Sequence, residues 1–547
     1  MRSDCGGLAL IEATGSERGA RWALGVFVAY VCVAFLVLLI GFGRWHWFAG
    51  DEWGFIVGKS LGDVGGLFEP LNSHWSTVPT VAYQVLFQVF GLNTYLPYVG
   101  LAIVLHLTLA VLLRVVMRRA GVGPWVATVV AATFVLFGTG QENILNGVQI
   151  NMLGSMVLGT THLLLADHDG SRGRRDALGL AAGALGVMSS GIGVPMVAVV
   201  GLAVLIRRGW RAALLHTLPL AVLFGGWLLW QASNVGASSP GKVPVSALVQ
   251  WVNEAVVAVF LGLGQYRLVA IGLGVVLVVG LVLAWGRLEL NVLRRRAAVP
   301  VAMLAGGVLL VALAASQRYE AGNLAASSRY VSMVTAMSLP ALGVAAGAVI
   351  QRWRLTAPLV LGLFIVGVPG NISVFSDTDG LSGRSYFQAQ RALVLGAAHS
   401  PVAEVVPRDV HPNPGEFYAD LVTVGFLLDA RSEGKVPDRP ELTSKEQARV
   451  DTRLIVSQSR HEDDEPDATC KVHADPLLLR PAAGQQYVLG SAVRISRQTS
   501  PDTFTVPARY ATLWSGRALT VELPDQTLLV EPSIGEPNFT WCTAAAP

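Results

Sequence analysis

The first two thirds of the chain alternate long apolar runs with short charged segments. A helix needs about 20 apolar residues to cross the hydrocarbon core of a membrane. The first such run lies between Arg21 and Arg44, and ten more follow it. Their approximate positions are 95–116, 124–139, 147–166, 177–192, 194–206, 212–231, 268–286, 298–316, 330–350 and 355–370. The pattern predicts an all-α polytopic membrane bundle over residues 22–370 with about 11 transmembrane helices.

Two stretches fit this pattern less closely. A Ser/Gly/Pro-containing break at 189–195 separates the runs 177–192 and 194–206, which are either two spans or a broken re-entrant pair. The run 243–266 carries Glu254 and looks more like an interfacial or re-entrant helix than a full span.

The placement of Lys and Arg predicts the orientation, because cytoplasmic loops carry an excess of these residues. With the N-terminal segment 1–21 inside, the inner segments hold 18 of the Lys and Arg residues of 1–370. The outer segments hold the remaining six, namely Arg44, Lys59, Lys242, Arg267, Arg318 and Arg329. An odd number of spans then places residues 371–547 outside.

The C-terminal part, 371–547, has a different pattern. A helical part to about 435, including 387–397, precedes a linker rich in proline and charge. Beyond about 468, alternating stretches such as 486–489 and 519–523 predict strands. We therefore expect an extracytoplasmic α+β domain with a β-rich end. Cys470 and Cys542 are its only cysteines and could form a disulfide outside the cell, the alternative being two unrelated thiols.

Composition sharpens this division. The chain is 52% hydrophobic with a mean hydropathy of +0.52, which excludes an ordinary soluble protein. Residues 1–370 hold 24 Lys+Arg and 14 Asp+Glu, whereas residues 371–547 hold 16 and 23. The arginines stand at the ends of apolar runs and form no single stripe, so nucleic acid is not an expected partner. Abundant Gly, Ala, Val and Arg with little Lys is typical of a GC-rich bacterial genome.

Few ionisable residues fall inside the predicted helices, the main ones being His106, His162 and His216. An ion-coupled transporter usually needs charged groups at mid-membrane depth, so this class is weakened. For His106, a hydrogen bond within the bundle is the simpler explanation than a proton relay. Candidate chemistry is therefore expected on the outer side.

The first outer loop, 44–94, is too long for a simple connector. Asp51 and Glu52 follow the first helix directly and stand between tryptophans, at the depth of lipid headgroups. Partial burial there would raise a carboxyl pKa and suit it to general-base work. Later in the loop, 80–91 fits an interfacial helix. The residues alone also allow a solvated helix end and, for His74, a packing role.

Together these features resemble the GT-C glycosyltransferases, integral membrane enzymes that move a sugar from a polyprenyl phosphate to an acceptor on the outer side. The stretch from Asp51-Glu52 through Glu69 and His74 to Pro79 is similar to the first-loop pattern of bacterial polytopic members. The β-rich end is similar to the outer carbohydrate-binding domains of actinobacterial arabinosyltransferases, and a mannosyltransferase-like activity fits the same architecture.

The resemblance implies roles for the acidic residues. Asp51 or Glu52 would deprotonate the acceptor hydroxyl, and Asp51 is preferred because it is nearer the helix end. Glu142 matches a second acidic position in the next outer loop, with Glu69 and His74 as further acceptor-side candidates. That loop lacks a D-x-D or E-x-D signature. No cofactor is required, and a divalent metal, which His46 or His74 could bind with Asp51, stays an open question.

An arginine is the natural partner of the departing lipid phosphate, because its planar fork donates two hydrogen bonds to phosphate oxygens. Arg329, which enters a predicted helix from outside beside Tyr330, is the favoured candidate, followed by Arg318 and Arg267. Glu320 lies near them in the sequence. The alternative for each arginine is a side chain that reaches for lipid headgroups.

The leading expectation is an inverting transferase of the bacterial plasma membrane that acts in cell-envelope biogenesis. Its partners would be a polyprenyl-phosphate-linked sugar, an envelope glycan or glycolipid acceptor and the bilayer itself. A transporter or flippase of envelope precursors and a non-catalytic envelope assembly protein are the alternatives. The sequence leaves the sugar, the acceptor, the linkage and the oligomeric state open.

Overall fold

The computed structural model describes residues 5–234, 243–286, 290–319, 325–376, 383–412, 421–438, 442–460, 468–489, 491–505, 507–510 and 517–544. Four charged residues that the sequence analysis used, Arg2, Lys242, Arg287 and Glu320, lie outside these ranges.

The described part of the chain is mostly helical, at 69%, and has a small C-terminal β region. Its helices are α1 Cys5–Leu36, α2 Trp53–Ile56, α3 Val64–Phe68, α4 Thr77–Phe90, α5 Leu96–Arg119, α6 Pro124–Val135, α7 Gln141–Leu145, α8 Ile150–Ala166, α9 Arg174–Val187, α10 Gly193–Arg208, α11 Trp210–Asn234, α12 Val245–Gly264, α13 Arg267–Trp285, α14 Leu290–Arg318, α15 Ser328–Arg352, α16 Ala357–Ile365, α17 Val368–Val374, α18 Arg384–Ala398, α19 Val424–Ser432 and α20 Ser444–Ile455. The predicted order, helices followed by strands, is confirmed.

Within the described residues, nine helical segments are long and apolar enough to cross a membrane, which indicates a multi-pass membrane protein. They are Glu17–Trp45, Leu96–Arg119, Gly147–Ala166, Trp210–Asn234, Val245–Gly264, Arg267–Trp285, Arg294–Arg318, Ser328–Arg352 and Arg354–Val374. Eight of them coincide with predicted spans. The ninth, Val245–Gly264, was expected to lie at the interface.

The remaining predicted spans differ in shape. The run 124–139 becomes a pair of helices, Pro124–Val135 and Gly138–Leu145, bent by 47°. At the bend, a Cβ on Gly138 would lie 1.8 Å from the carbonyl oxygen of Asn371, so only glycine fits. The run 177–206 forms two shorter helices, of 14 and 16 residues, that separate at the predicted break.

Both ends of α12 contact the same small region. The Trp251 ring lies 6.2 Å from that of Tyr330. The neighbouring Arg329 carbonyl accepts a hydrogen bond from Asn143 in α7, just after the joint between α6 and α7. Near the other end, the Gly262 carbonyl accepts a hydrogen bond of 2.9 Å from Asn371, which also bonds to Thr139 in that joint. Eleven residues of helix separate the two contacts, about 16 Å. Helix α12 therefore contacts the start of α15 and α17 along its length.

At other helix ends the arginines lie close together. Arg119 donates to the Leu164 carbonyl at 2.6 Å, and Arg207 and Arg295 both reach Asp169, at 3.3 and 3.7 Å. We call this the arginine-rich face. It is formed by the ends of helices that carry Arg118, Arg119, Arg207, Arg208, Arg295, Arg296 and Arg352.

The contacts divide the chain into two compact units. Unit 1 comprises Met1–Arg44, Val64–Val81 and Tyr98–Asp377, and unit 2 comprises Trp45–Asp63, Ala82–Pro97 and Thr378–Pro547. The predicted division placed the whole loop 44–94 with the membrane domain, whereas two of its segments belong to the unit that contains the C-terminal region.

Unit 2 is held together by contacts between these loop segments and the C-terminal region. The Leu92 amide donates to the Lys435 carbonyl at 2.6 Å, and the Phe87 and Phe426 rings stack at 5.9 Å. A Cβ on Gly91, which has a φ of +55°, would lie 2.3 Å from the Lys435 oxygen. Any side chain at position 91 would thus push the two segments apart.

The strands of unit 2 are β1 Val456–Arg460, β2 Ala468–His473, β3 Leu477–Leu479, β4 Gln486–Leu489, β5 Val493–Ser500, β6 Thr503–Phe504, β7 Ala508–Tyr510, β8 Arg517–Val521, β9 Leu528–Pro532 and β10 Phe539–Ala544. One antiparallel sheet has the order β1-β8-β4-β10-β2, and a second has β3-β9-β5-β6 with β7 also on β5. Side chains of both sheets share one core, as in a β-sandwich. A disulfide joins Cys470 and Cys542 across paired strands.

Candidate functional site

The acidic pair of the first loop lies on a tight turn of unit 2. Gly50–Glu52 form one turn of 3₁₀-helix, and Gly50 has a φ of +61°, which favours glycine. Glu52 reaches back and accepts a hydrogen bond of 3.0 Å from the Ala49 amide. The turn thereby directs Glu52 inward, whereas Asp51 stays half-buried.

Glu52 is the centre of a buried aromatic cluster and is only 1% exposed. Its Oε1 atom accepts hydrogen bonds from the Tyr83 and Tyr95 hydroxyls, at 2.5 and 2.7 Å. The rings of Phe48 and Phe55 pack against these tyrosines. Burial raises the pKa of Glu52 to about 7, and the charge of neighbouring Asp51 adds to the rise, against the opposing effect of the hydrogen bonds.

The stability of the protein is expected to depend on pH through Glu52. The pKa of this carboxyl rises from about 4.5 to about 7 on folding, so the folded state holds a proton that the unfolded chain releases. The contribution of Glu52 to the free energy of unfolding is therefore highest below the lower value and is lost as the pH rises through the higher one. The shift corresponds to roughly 3 kcal/mol.

Thermal unfolding of the full-length protein in detergent checks this expectation between about pH 4.5 and pH 7. Relative to the wild type, the Glu52→Gln variant, which cannot ionise, is expected to lose this decline. His74, whose lowered pKa acts in the opposite direction over the same range, is unchanged in both proteins. Asp63→Asn, which changes an exposed carboxylate in the same segment, should keep it. The same decline in Glu52→Gln as in the wild type would contradict the assignment.

In unit 1, the later part of the loop forms a tight hairpin turn. Leu71 and His74 exchange backbone hydrogen bonds of 3.0 and 2.9 Å. Asn72 and Ser73 between them have φ values of 50° and 65°, as a type I′ turn requires. Serine rarely adopts this conformation, so surrounding contacts must hold the turn in place.

Trp75 anchors this turn. Its ring is 2% exposed and stacks on the Trp227 ring at 5.2 Å with an interplanar angle of 4°. The Trp75 indole N–H donates to the Thr77 hydroxyl at 2.7 Å, and that hydroxyl donates to the Leu67 carbonyl. These contacts attach the turn to α11 and fix the position of the preceding residue, His74.

His74 is partly buried and lies within electrostatic range of two arginines. A Cβ on Gly191 would lie 3.1 Å from its Nδ1 atom, so glycine at the break between α9 and α10 leaves room for the ring. Burial lowers the pKa of His74 to about 4, and the charges of Arg318 and Arg329 lower it further. At neutral pH the imidazole is therefore uncharged and lies near two guanidinium groups.

Glu142 and Arg329 form an ion pair of 3.9 Å, with side chains 35% and 31% exposed. Two further bonds join the same segments: the Asn143 amide donates to the Arg329 carbonyl at 2.9 Å, and the Ser328 hydroxyl accepts from the Glu142 amide at 3.2 Å. The first turn of α15 is thus tied to α7. This arrangement holds Arg329 at a partly exposed position.

Unit 1 therefore brings four of the predicted site residues together: His74, Arg318, Arg329 and Glu142. Arg267, in the first turn of α13, and Glu69 are exposed. Asp51 and Glu52 belong to unit 2. Among the described residues, no group of three or more His, Cys, Asp and Glu side chains could hold a metal ion.

A buried polar network near the arginine-rich face was not predicted. Asp176 Oδ1 accepts a hydrogen bond of 2.7 Å from Arg208 and lies 2.9 Å from His216 Nε2 and 3.2 Å from His168 Nε2. His216 Nδ1 in turn lies 3.0 Å from His162 Nε2. The network joins α8, α9, α10 and α11, and its members are separated by up to 54 residues, so no local spacing indicates it.

His106 makes its hydrogen-bonding and ring contacts within the helix bundle. Its Nε2 atom lies 2.9 Å from the Phe134 carbonyl oxygen, and its ring packs at 4.7 Å from the Phe134 ring. This is the hydrogen-bonded arrangement that the sequence analysis preferred to a relay.

Comparison of the chain with models of known families, with curated proteins and with solved structures finds no match. The function is therefore argued from the residues and their geometry.

Proposed function

We propose that the protein is a membrane glycosyltransferase that moves a sugar from a polyprenyl-phosphate donor to an envelope glycan or glycolipid. The observation that supports this most is the grouping of Arg318, Arg329, Glu142 and His74 in unit 1. These residues come from three distant parts of the predicted membrane domain, 22–370, whose predicted outer segments hold only six Lys and Arg residues. Such a grouping suits an anionic group at the membrane surface.

In this proposal, Arg329 binds the phosphate of the donor. Its guanidinium is partly exposed and offers several N–H donors, so it can contact phosphate oxygens while Glu142 keeps the side chain in place. Arg318 adds a second positive charge. Because His74 is neutral, it can hydrogen-bond to an oxygen without adding a charge that the two arginines would repel. These groups would stabilise the negative charge that develops on the leaving phosphate.

Asp51 is the proposed general base. It would take the proton of the acceptor hydroxyl as the acceptor oxygen bonds to the anomeric carbon of the sugar. The bond from that carbon to the phosphate oxygen breaks, and the lipid phosphate leaves with the electron pair. Glu52 suits this role less well, because it is buried and its carboxyl group already accepts three hydrogen bonds.

We further propose that the N-terminus is cytoplasmic and the C-terminal region lies outside. The loop after the first span and the C-terminal region form parts of one compact unit, so they lie on the same side of the membrane. Eleven spans place the N-terminus and the C-terminal region on opposite sides of the membrane, provided that α12 runs along the outer face. Its contacts with Tyr330 and Asn371 support this position. The arginine excess and the disulfide favour the outside.

The test is sugar transfer by the full-length protein in detergent or liposomes, supplied with labelled polyprenyl-phosphate sugars and envelope glycan acceptors. Arg329→Gln is expected to lower kcat/KM by about 10- to 100-fold, because it loses charge-assisted hydrogen bonds to the phosphate. Arg174→Gln, which neutralises an exposed arginine at the start of α9, should retain wild-type activity.

Two results would refute the proposal. Transfer by the wild type with none of the donors would exclude the enzymatic function, and equal activity of Arg329→Gln and Arg174→Gln would exclude the phosphate site. The buried network around Asp176 does not favour a transporter. Its histidines lie within two turns of the helix ends, His162 near the end of α8 and His216 near the start of α11, so the network does not reach mid-membrane depth.

A further inference from the structure

A separate cavity of about 300 Å³ opens between helices at the arginine-rich face of unit 1. This volume is at the lower end of small-molecule sites, roughly 300 to 1,000 Å³. Its polar lining comes from Arg296 at the start of α14, Gln351 and Arg352 at the end of α15, and Trp285 at the end of α13. Gly121 and Val122, which follow α5, complete the wall.

The lining has the chemistry of an anion site. Arg296 and Arg352 supply positive charge, and among the described residues no carboxylate lines the cavity or lies within salt-bridge distance of either arginine. The Trp285 indole N–H is buried and has no hydrogen-bond partner in the described part of the chain. A buried donor without a partner is costly, so it suits an acceptor brought by a ligand.

Gly121 lies against one of the arginines, and its positive φ favours glycine. Gly121 has a φ of +91°, and a Cβ there would lie 3.5 Å from the guanidinium carbon of Arg296. At the other side, the Arg352 guanidinium lies 5.5 Å from the centre of the Trp353 ring. Tryptophan and arginine together are typical of the level of lipid headgroups.

The exposed face of α13 that leads to Trp285 is suited to acyl chains. Val275, Val278 and Val282 on α13 are 55%, 65% and 67% exposed and follow one face of the helix toward Trp285. In a bilayer this face contacts lipid tails. A headgroup in the cavity could therefore keep its chains along α13, whereas a free phosphate would gain nothing from this surface.

We propose that the cavity binds the phosphate of an anionic phospholipid headgroup, with Arg296 and Arg352 as its charged contacts and the Trp285 N–H and the Gln351 amide as neutral donors. Basic pockets between transmembrane helices are suited to such headgroups. The inference goes beyond the proposed glycosyltransferase function and does not depend on it.

The test is lipid binding by the purified full-length protein in detergent, measured by native mass spectrometry and by thermal stabilisation. Phosphatidylglycerol, phosphatidylcholine and inorganic phosphate are compared as ligands. We expect phosphatidylglycerol to bind and stabilise, and Arg296→Gln or Arg352→Gln to weaken its affinity by about tenfold. Trp285→Phe, which keeps a ring and removes the N–H, should weaken it less.

The matched control is Arg354→Gln, which neutralises an exposed arginine two residues beyond α15 that does not line the cavity. It should bind phosphatidylglycerol as the wild type does. Equal binding of phosphatidylcholine, or equal losses in Arg354→Gln and Arg296→Gln, would overturn the site. Stabilisation by inorganic phosphate as strong as that by phosphatidylglycerol would show that the cavity binds free phosphate and does not require a lipid. Unfolding of each variant without added lipid reports whether it is folded.

Discussion

Asp51→Asn is expected to lower the rate of sugar transfer by about 10²- to 10⁴-fold, the usual contribution of a general base. The substitution preserves the shape of the side chain but removes its negative charge, and with it the ability to take a proton from the acceptor hydroxyl. Because Asp51 is half-buried and does not contribute the hydrogen bonds that hold Glu52, the variant should fold normally. Initial rates at saturating donor and acceptor, with thermal unfolding measured in parallel, check both expectations.

Two comparisons make this result interpretable. Asp63→Asn neutralises an exposed carboxylate in the same segment of unit 2 and should leave the rate unchanged. Glu52→Gln should reduce the rate much less than Asp51→Asn. If Glu52→Gln were inactive and Asp51→Asn retained its activity, the base would be Glu52, and the assignment to Asp51 would be wrong.

The second large effect is expected on stability. Asp176→Asn should destabilise the protein by about 3 to 5 kcal/mol, because it leaves the buried Arg208 guanidinium without its carboxylate. Asp176 is 3% exposed, and its other oxygen accepts a bond of 3.0 Å from the Gly173 amide. An asparagine amide group would oppose one donor or the other. The melting temperature of the full-length protein in detergent measures the loss.

Asp169→Asn is the matched control for this substitution. Asp169 lies nearby and pairs with Arg207 and Arg295, but its side chain is 55% exposed, and exposed ion pairs contribute about 1 kcal/mol or less. A melting temperature of Asp176→Asn equal to that of Asp169→Asn would show that the network contributes little to stability.

Most of the helical framework could be predicted from local sequence, because a membrane span must be apolar over its whole length. The run 95–116, for example, becomes the helix Leu96–Arg119. The bend at Gly138 could not be predicted, since it depends on the close approach of the Asn371 backbone from the far end of the domain. The grouping of loop segments with the C-terminal region depends on equally distant contacts.

Part of the candidate site could be predicted from the sequence. Arg329 was proposed because the predicted outer segments of the membrane domain hold few cations, and Glu142 because of the family resemblance. The structure pairs these two residues. The different environments of Asp51 and Glu52 were not predictable, because they depend on Tyr83 and Tyr95, which come from later in the loop. Adjacent residues on a tight turn face different surroundings, and only the packed structure decides which of them is buried.

Unit 2 combines segments from distant parts of the chain, and this constrains the order in which the protein can fold during synthesis. Segments 45–63 and 82–97 emerge from the ribosome with the first two spans, but their partners, such as Lys435 and Phe426, follow the last one. Rings of the nascent loop such as Phe87 therefore lack their final neighbours until the membrane domain has been inserted. The order of synthesis thus makes the packing of these loop segments against the C-terminal region one of the last steps in the folding of the molecule.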